Sequence, residues 1–325
     1  MNDPIDIVVT YVNQKNKEWQ KLYNKYKNTE ISEGTQTIEN KQAFGAERYR
    51  DWNTFRFWFR AIEKNCPWIN KVFLILMDET HIPFWLDTNH PKLKIIYHKD
   101  YIPEGLLPTF NIMPIEMYYY KIPELSNNFI TSNDDFFFLN SCTEDMFFEN
   151  NKCVLNCVEN KVKHKNSSQV WEQILANNDN FILKYYGNKL FRHSHLFEPR
   201  QKKFEEKIVL DHYDEIYNSF LKSKFRHSNN YLSWLFIDIM KNTTQCINRN
   251  SYSNSNLVEL KQGINLDQYK NLQMVCFNDT ENTRDFIELR LKLWKFLYNK
   301  FPKKSSFELT DISNKTLKVL SMGLD

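Results

Sequence analysis

The sequence predicts an α/β protein built on a Rossmann-like, mostly parallel sheet with helices on both faces. The first observation is that short β-branched runs alternate with helical stretches over about the first 130 residues. The second is that these runs are continuous and apolar, as in strands buried on both faces of a parallel sheet. The third is that Asn and Asp follow the ends of several runs, where open α/β sheets bind ligands.

The elements of this first half follow in order along the chain. Strands are expected at 5–12, 71–77, 93–97 and 128–132, and helices at 17–27, 51–65, 83–86 and 112–120. The strongest helix is 51–65, because Phe55, Phe59 and Ile62 share one face and the Cys66-Pro67 step ends it. The segment 31–44 is expected to be a loop. Asn13, Asp78 and the Asn133-Asp134-Asp135 motif should then share one rim of the sheet.

The second half is less regular. Helices are expected at 167–183, 205–221, 230–240 and 280–301, a loop at 241–256, and mixed strand character at 258–277. We therefore predict an α/β core at 1–150 and a mainly helical part at 151–325, which packs on the same site and is not independent of the core.

Composition excludes several classes of protein. The 325 residues include only six glycines, and no two of these are close together. A phosphate-cradling loop needs clustered glycines, so the Walker A loop and the dinucleotide fingerprint are both excluded. The net charge of +3 indicates no nucleic-acid partner.

The six cysteines lack zinc spacing, and reduced thiols are expected, including Cys153 and Cys157. No apolar run is long enough to span a bilayer, and the N-terminus does not resemble a signal peptide, so a cytoplasmic protein is expected.

The Asn133-Asp134-Asp135 motif is the sharpest chemical signal. It lies between an apolar strand and Phe136-Phe137-Phe138. Adjacent carboxylates flanked by apolar runs are costly unless they are paired or bind a metal. Hard oxygen ligands at a strand end suit Mg²⁺ or Mn²⁺ bridging a diphosphate. The alternative is an ordinary turn with solvated carboxylates.

Basic side chains supply a second candidate group. Arg48, Arg50, Arg56 and Arg60 are four of only ten arginines, and the last two lie one helical turn apart. Arginine suits bidentate phosphate contact, so Arg56 and Arg60 are candidate ligands of a phosphate group. The alternative is an ordinary basic helix face.

Three further segments carry polar candidates. Asn111 precedes a helix, where it could cap the helix or bind a sugar hydroxyl. His193 and His195 offer a proton acceptor, although a lone histidine is more often structural, and Arg226 lies in a later Arg-His pair. Asp279 follows another apolar run, and its alternative is a simple turn.

Taken in order, four segments resemble the conserved regions of the Stealth family. This family contains bacterial capsular and exopolysaccharide hexose-1-phosphate transferases and the eukaryotic phosphotransferase that tags lysosomal enzymes. The first region is matched by 5–13, ending near Trp19. The matching motifs of the second region are Arg50-Asp51, Pro67-Trp68-Ile69, Ile82-Pro83-Phe84-Trp85-Leu86, Leu107-Pro108-Thr109-Phe110-Asn111, Ile115-Glu116 and Asn133-Asp134-Asp135-Phe136-Phe137. The third and fourth are matched by His193 or His195 with Phe225-Arg226, and by Cys276-Phe277-Asn278-Asp279 with Pro302 and Ser306-Phe307-Glu308.

The sequence departs from the family pattern in places. Tyr11 stands where the family usually has Trp, Thr54 and Phe55 replace Glu and Leu, and Ile112 replaces Ser. These changes leave the reaction class in place and the sugar specificity open.

The resemblance implies a nucleotide-sugar-binding core and transfer of a sugar-1-phosphate from a UDP-sugar to a hydroxyl of a polysaccharide or lipid-linked glycan, with release of UMP. Asp134 and Asp135, helped by Asp279, would hold Mg²⁺ or Mn²⁺. Arg56, Arg60 and Arg226 would neutralise the phosphoryl oxygens, and His195, in preference to His193, would accept the acceptor proton. Asn13, Asn111 and Asn133 would contact nucleotide or sugar.

Two alternatives remain open at this point. The same acidic motif would serve a metal-dependent glycosyltransferase that releases UDP. The chain could also be a non-catalytic nucleotide-sugar or glycan-binding subunit of a capsule assembly complex. In each case the expected location is the cytoplasm, with docking at the inner face of the bacterial plasma membrane as a further option.

Overall fold

The computed structural model describes residues 3–37, 40–156, 158–160, 169–187, 189–193, 195–249, 255–280 and 285–312. Its helices are α1 (Lys17–Ser32), α2 (Lys41–Phe44), α3 (Phe55–Asn65), α4 (Ile112–Met117), α5 (Val170–Tyr185), α6 (Lys202–Asp211), α7 (Tyr213–Leu221), α8 (Trp234–Asn242) and α9 (Phe286–Lys300). Its strands are β1 (Ile5–Thr10), β2 (Val72–Leu76), β3 (Leu93–Tyr97), β4 (Asn128–Asn133), β5 (Phe136–Phe138), β6 (Phe148–Glu149), β7 (Lys152–Leu155), β8 (Val158–Asn160), β9 (Leu190–Arg192), β10 (Glu198–Gln201), β11 (Ile247–Asn248), β12 (Ser255–Glu259) and β13 (Met274–Asn278).

The main sheet has five strands in the order β10-β4-β1-β2-β3. The pairs of β1 with β2, β1 with β4 and β2 with β3 are parallel, whereas β10 runs antiparallel to β4 along one edge. The predicted mostly parallel α/β sheet is therefore confirmed. Since the four parallel strands end on the same side, the Asn133-Asp134-Asp135 motif after β4 lies at the carboxyl edge of the sheet.

Side chains alternate between two apolar cores, one on each face of this sheet. Ile7 and Val9 of β1 pack in the core that contains α3 and α9, whereas Val8 points into the core that contains α4, α5 and α8. This alternation explains why the strand sequences are mainly apolar, with buried side chains on both faces. It also explains why helices are needed on both faces.

A second, three-stranded sheet in the order β12-β13-β5 fixes the segment that follows the acidic motif. Strand β5 starts directly after Asp135 and pairs antiparallel with β13, with Phe136 opposite Cys276. The backbone N–H of Phe277 also donates to the carbonyl oxygen of Asp135, at 3.0 Å. The C-terminal half of the chain therefore helps to set the geometry of the acidic motif. The proposed division at residue 150 stays a prediction.

Several element boundaries differ from those expected. The predicted helix 205–221 is two helices, α6 and α7, separated at His212, and the predicted helix 51–65 begins only at Phe55. Asn53 has a positive φ of 56°, which a helix interior cannot accommodate, and its N–H donates to the carboxylate of Asp51. The expected short helix at 83–86 is a turn, and the expected loop 31–44 contains α2.

The state of the cysteines and the character of the helices were also predicted from the sequence. The described cysteines (Cys66, Cys142, Cys153, Cys246 and Cys276) are free thiols, and Cys157 lies outside the described residues. Among the helices in the described part of the chain, none combines the length and the apolarity that crossing a membrane requires.

Candidate functional site

A cleft opens at the carboxyl edge of the main sheet. Its floor contains residues at or just beyond the ends of β1, β2 and β4, including Thr10, Met77 and Asn133. Part of its wall comes from the segment before α3, and another part comes from the start of β10 and from α5 and α8. The position agrees with the general rule for ligand sites in open α/β sheets.

Asp134 and Asp135 line this cleft, and neither carboxylate forms a salt bridge within the described residues. Burial, followed by the charges of Asp135 and Asp51, raises the pKa of Asp134 well above its usual value. Burial also raises the pKa of Asp135 to about 7. Cys276 donates its thiol to Oδ2 of Asp135 at 3.5 Å, but Oδ1 is buried and has no partner within the described residues.

These two side chains fit a divalent cation. A buried carboxylate oxygen without a hydrogen bond is costly, and a cation would satisfy it. The described residues contain no group of three or more His, Cys, Asp or Glu side chains arranged to hold a metal ion. That arrangement is not required here, since Mg²⁺ is usually bound by one or two carboxylates together with waters and substrate phosphates.

Asp279 lines the cleft, but its carboxylate is already committed. Arg50 donates to both of its oxygens, at 2.7 and 2.6 Å, and the indole N–H of Trp52 donates to one of them at 3.0 Å. A bidentate ion pair of this kind satisfies both oxygens. The structure therefore does not support Asp279 as a third metal ligand and gives it a role in bracing the wall of the cleft.

Arg48 and Arg226 form the cationic side of the cleft. Burial, followed by repulsion from Arg48, lowers the pKa of Arg226. Within the described residues, neither guanidinium forms a salt bridge with a carboxylate. Arg48 is exposed and Arg226 is half-buried, and the nearby charges of Glu116 and Glu47 act to raise the pKa of Arg226. Two neighbouring cations that form no ion pair within the described residues indicate a place for an anion.

Arg56 and Arg60 correct the sequence prediction. They lie on one face of α3, as expected, but that face is buried away from the cleft. Arg60 donates to both carboxylate oxygens of Glu308, at 2.7 and 2.9 Å, and Arg56 donates to the same carboxylate at 3.2 Å. These pairs join α3 to the C-terminal segment. Arg56 and Arg60 are therefore framework residues and are not available to a phosphate group.

The two candidate histidines have different surroundings. His195 lines the cleft, and its ring packs edge-on against Phe136, with 5.0 Å between ring centroids. Burial, followed by the charges of Arg226 and Arg48, lowers the pKa of His195 to about 4. His193 lies outside the cleft, where Nε2 is 2.7 Å from the carboxylate of Asp238 and the ring stacks on Trp234. Geometry therefore favours His195 as the histidine that meets a ligand.

The three predicted asparagines also differ. Asn133 lines the cleft at the end of β4. Asn111 reaches its wall, but its side chain caps α4 through Met113 N–H and donates to the carbonyl of Phe225 and to Asn230. It therefore holds the loop that carries Arg226, so a sugar contact from this amide is not supported. Asn13 is not among the residues that line the cleft, and its backbone N–H donates to Nδ1 of His81.

The sequence reasoning missed several side chains that face the cleft: Arg48, Glu116, Trp171, Glu198 and Trp234. Burial raises the pKa of Glu198 to about 8 and also raises the pKa of Glu116. Arg48 lies in the arginine-rich segment 48–60, and Glu116 lies in the second region that resembles the family. The sequence therefore contained an indication that each of these two residues belongs to the site. Trp171, Glu198 and Trp234 had no local signal, because the spatial convergence of β10, α5 and α8 brings them to the cleft.

Comparison with known proteins agrees with these features. Residues 48–156, which contain Arg48, Glu116 and the acidic motif, match a family model described as Stealth protein CR2, conserved region 2. A capsular polysaccharide phosphotransferase WcwK of Streptococcus pneumoniae is 32% identical over 344 aligned residues, covering 94% of this chain and 98% of the relative. Capsular polysaccharide phosphotransferase SacB of Neisseria meningitidis serogroup A is 29% identical, over 94% of this chain and 57% of that longer protein. The chain therefore belongs to the Stealth family.

Proposed function

We propose that this protein is a capsular polysaccharide phosphotransferase that moves a sugar-1-phosphate from a UDP-sugar to a hydroxyl of a polysaccharide or lipid-linked glycan. The observation that carries the proposal is a single cleft that contains two half-buried carboxylates, two arginines that form no salt bridge within the described residues, and His195. The names of the relatives support a phosphotransferase of capsule synthesis. The donor, the hexose-1-phosphate group and the product UMP are our proposal.

The diphosphate of the donor would lie between the acidic pair and the arginine pair. Asp134 and Asp135 would hold Mg²⁺ or Mn²⁺, which supplies charge neutralisation to the diphosphate oxygens when bound. Arg48 and Arg226 would donate hydrogen bonds to the transferred phosphoryl group. Their mutual repulsion would be relieved by that anion, which is the electrostatic preorganisation that phosphoryl transfer requires.

The transfer itself needs a proton acceptor near the incoming hydroxyl. The acceptor oxygen would attack the β-phosphorus, the bond from that phosphorus to the bridging oxygen would break, and UMP would leave with the electron pair. His195 would take the proton of the acceptor hydroxyl. Its lowered pKa keeps the ring neutral at physiological pH, and a bound diphosphate would offset the two arginine charges and raise its basicity.

Product analysis tests the proposal. Purified protein is incubated with Mg²⁺ or Mn²⁺, a panel of UDP-sugars, and oligosaccharides prepared from the capsule of the source strain. Release of UMP together with a phosphodiester signal in the ³¹P spectrum is expected. Release of UDP with a glycosidic product would identify a glycosyltransferase and overturn the proposal. Ligand binding without turnover for any donor would point to a non-catalytic subunit of a capsule assembly complex.

The histidines provide a matched pair of variants for the same assay. His195→Asn is expected to lose turnover while its melting temperature is kept. His193→Asn removes a similar ring outside the cleft and should retain turnover at a saturating acceptor concentration and at a temperature where it is folded, because its ring contacts Trp234 and not the reacting groups. The proposed reaction places the enzyme in the cytoplasm, where UDP-sugars are made, and at the inner face of the plasma membrane when its acceptor is lipid-linked.

A further inference from the structure

Two tryptophans on one wall of the cleft have no part in the reaction described above. Trp171 lies in the first turn of α5, and Trp234 is the first residue of α8. Both are half-buried, both line the cleft, and their rings meet edge-on with 5.8 Å between centroids. His193 stacks on Trp234, and the rest of the half-buried indole surface in the cleft contacts water. Contact of apolar surface with water costs free energy, and a ligand with an apolar face would remove that cost.

The strand order places this wall on the side of the acidic motif opposite to β1, β2 and β3. In the order β10-β4-β1-β2-β3, the acidic motif follows β4. The ends of β1 and β2, with Thr10 and Met77, lie to one side of it. His195 and Trp234 lie to the other side, because Glu198 at the start of β10 pairs with Thr131 near the end of β4 and its side chain accepts a hydrogen bond from Trp234.

His195 connects the tryptophan wall to the reacting atoms. Its ring contacts Phe136, which directly follows the acidic motif, and also contacts Trp234, with 6.5 Å between centroids. Arg226 lies over Trp171, with 5.1 Å from the guanidinium carbon to the ring centroid. A group on the indole surface that Arg226 and His193 leave uncovered would therefore be next to the proton acceptor and to the phosphoryl-binding arginine.

We propose that Trp171 and Trp234 form the subsite for the sugar ring of the acceptor, and this inference rests on the proposed function. A pyranose ring has one face of C–H groups, which would cover an indole, and a rim of hydroxyls, one of which would point to His195. The nucleoside of the donor would occupy the other side of the acidic motif, along the ends of β1 and β2. The two substrates would then meet across Asp135 and His195.

The test compares variants that keep or remove a flat ring at position 171. Trp171→Leu keeps apolar bulk and removes the flat surface, whereas Trp171→Phe keeps a flat ring. Capsule oligosaccharides from the source strain, fractionated by size, serve as the acceptor probe. In Trp171→Leu the acceptor KM should rise about tenfold, as expected for the loss of one aromatic contact, while the donor KM changes little. Trp171→Phe should recover most of the acceptor KM.

A partition measurement separates acceptor binding from damage to Arg226. At a fixed, subsaturating oligosaccharide concentration, the ratio of transfer to hydrolysis of the UDP-sugar should fall in Trp171→Leu. A disturbed Arg226 would slow both reactions and leave the ratio unchanged. Trp68→Leu is the matched control, because Trp68 is also half-buried but lies outside the cleft. Its ratio should equal that of the wild type.

Two outcomes would overturn the subsite. The first is an unchanged acceptor KM and partition ratio in Trp171→Leu. The second is a rise of the donor KM alone, which would place the uracil ring on the tryptophans. Oligosaccharide binding without donor, followed by calorimetry, distinguishes this failure from failure of the proposed function. Binding that depends on Trp171 in a protein without turnover would support the subsite and refute the reaction.

Discussion

Asp135→Asn provides the sharpest test of the electrostatics of the cleft. In the metal-free protein, burial raises the pKa of Asp135 from 3.8 to about 7. A shift of that size corresponds to about 4 kcal/mol of free energy. An aspartate with a raised pKa binds more protons in the folded state than in the unfolded state. Stability is therefore lost as the pH rises between these two values, and a neutral asparagine avoids this loss.

The asparagine has a cost of its own that does not depend on pH. Its amide donors would be buried beside the position of Oδ1, which has no partner within the described residues, and an unmatched buried polar group costs about 1–3 kcal/mol. At pH 4 the variant should therefore be less stable than the wild type by about this amount. At pH 8 it should be more stable by about 1–3 kcal/mol, since the two contributions oppose each other. Loss of the Asp135 charge also relieves Asp134, which acts in the same direction.

The measurement is urea unfolding of both proteins in EDTA at a series of pH values, followed by circular dichroism. The difference in free energy of unfolding should change sign between pH 4 and pH 8. Asp145→Asn is the control, because Asp145 is exposed and outside the cleft, and its difference should stay nearly constant. A pH-independent difference for Asp135→Asn would refute the reasoning. Adding Mn²⁺ at pH 8 should then stabilise the wild type and leave the variant unchanged.

Three further predictions follow from named contacts. Arg60→Ala should lower the free energy of unfolding in urea by about 3–5 kcal/mol, because Glu308 stays buried without its main partner, and an unchanged stability would contradict the pairing. The donor KM of the folded Arg60→Ala protein should be unchanged. His195→Asn should lower kcat by about 10²- to 10⁴-fold at an unchanged melting temperature. His193→Asn should lower the melting temperature, because it removes the hydrogen-bond partner of the buried Asp238 carboxylate. The opposite pattern of effects would exchange the roles of the two histidines. Arg48→Met should raise the melting temperature in phosphate-free buffer by removing one of two repelling cations, and should reduce the stabilisation that pyrophosphate gives the wild type in a thermal shift assay; an equal pyrophosphate effect in both proteins would argue against an anion site at Arg48 and Arg226.

The sheet could be predicted from sequence because its signal is local. The runs that form β1 to β4 are mainly apolar, with exceptions such as Asp6 and Lys94, and polar residues follow their ends. Both their burial and the rim that they share can therefore be predicted without tertiary information. Asn133, Asp134 and Asp135 lie at this rim and line the cleft, whereas Asn13, expected at the same rim, does not line it. The roles of these residues in binding stay a prediction. The split between α6 and α7 was missed because the helical pattern continues through His212, where only the backbone changes direction.

The arginines show why the site itself was only partly predictable. The spacing of Arg56 and Arg60 correctly indicated one helix face, but it could not show that Glu308 faces them from the far end of the chain. The same limit applies to Asp279, whose partner Arg50 is 229 positions away. Periodicity reports which side chains share a face, and it carries no information about the charge that the fold brings opposite to that face.

The distribution of counter-charges determines which cations of the arginine-rich segment can serve a substrate. Arg50 forms an ion pair with Asp279, and Arg56 and Arg60 form ion pairs with Glu308. These ion pairs join the first half of the chain to the second. In the described residues, Arg48 has no such carboxylate and lies beside Arg226, which comes from a distant loop held by Asn111. A guanidinium in a buried ion pair can bind a phosphate only if that ion pair breaks, and breaking it costs free energy. The absence of a carboxylate partner is therefore better evidence for a phosphate-binding arginine than its position in a basic run, and this criterion selects Arg48 and Arg226.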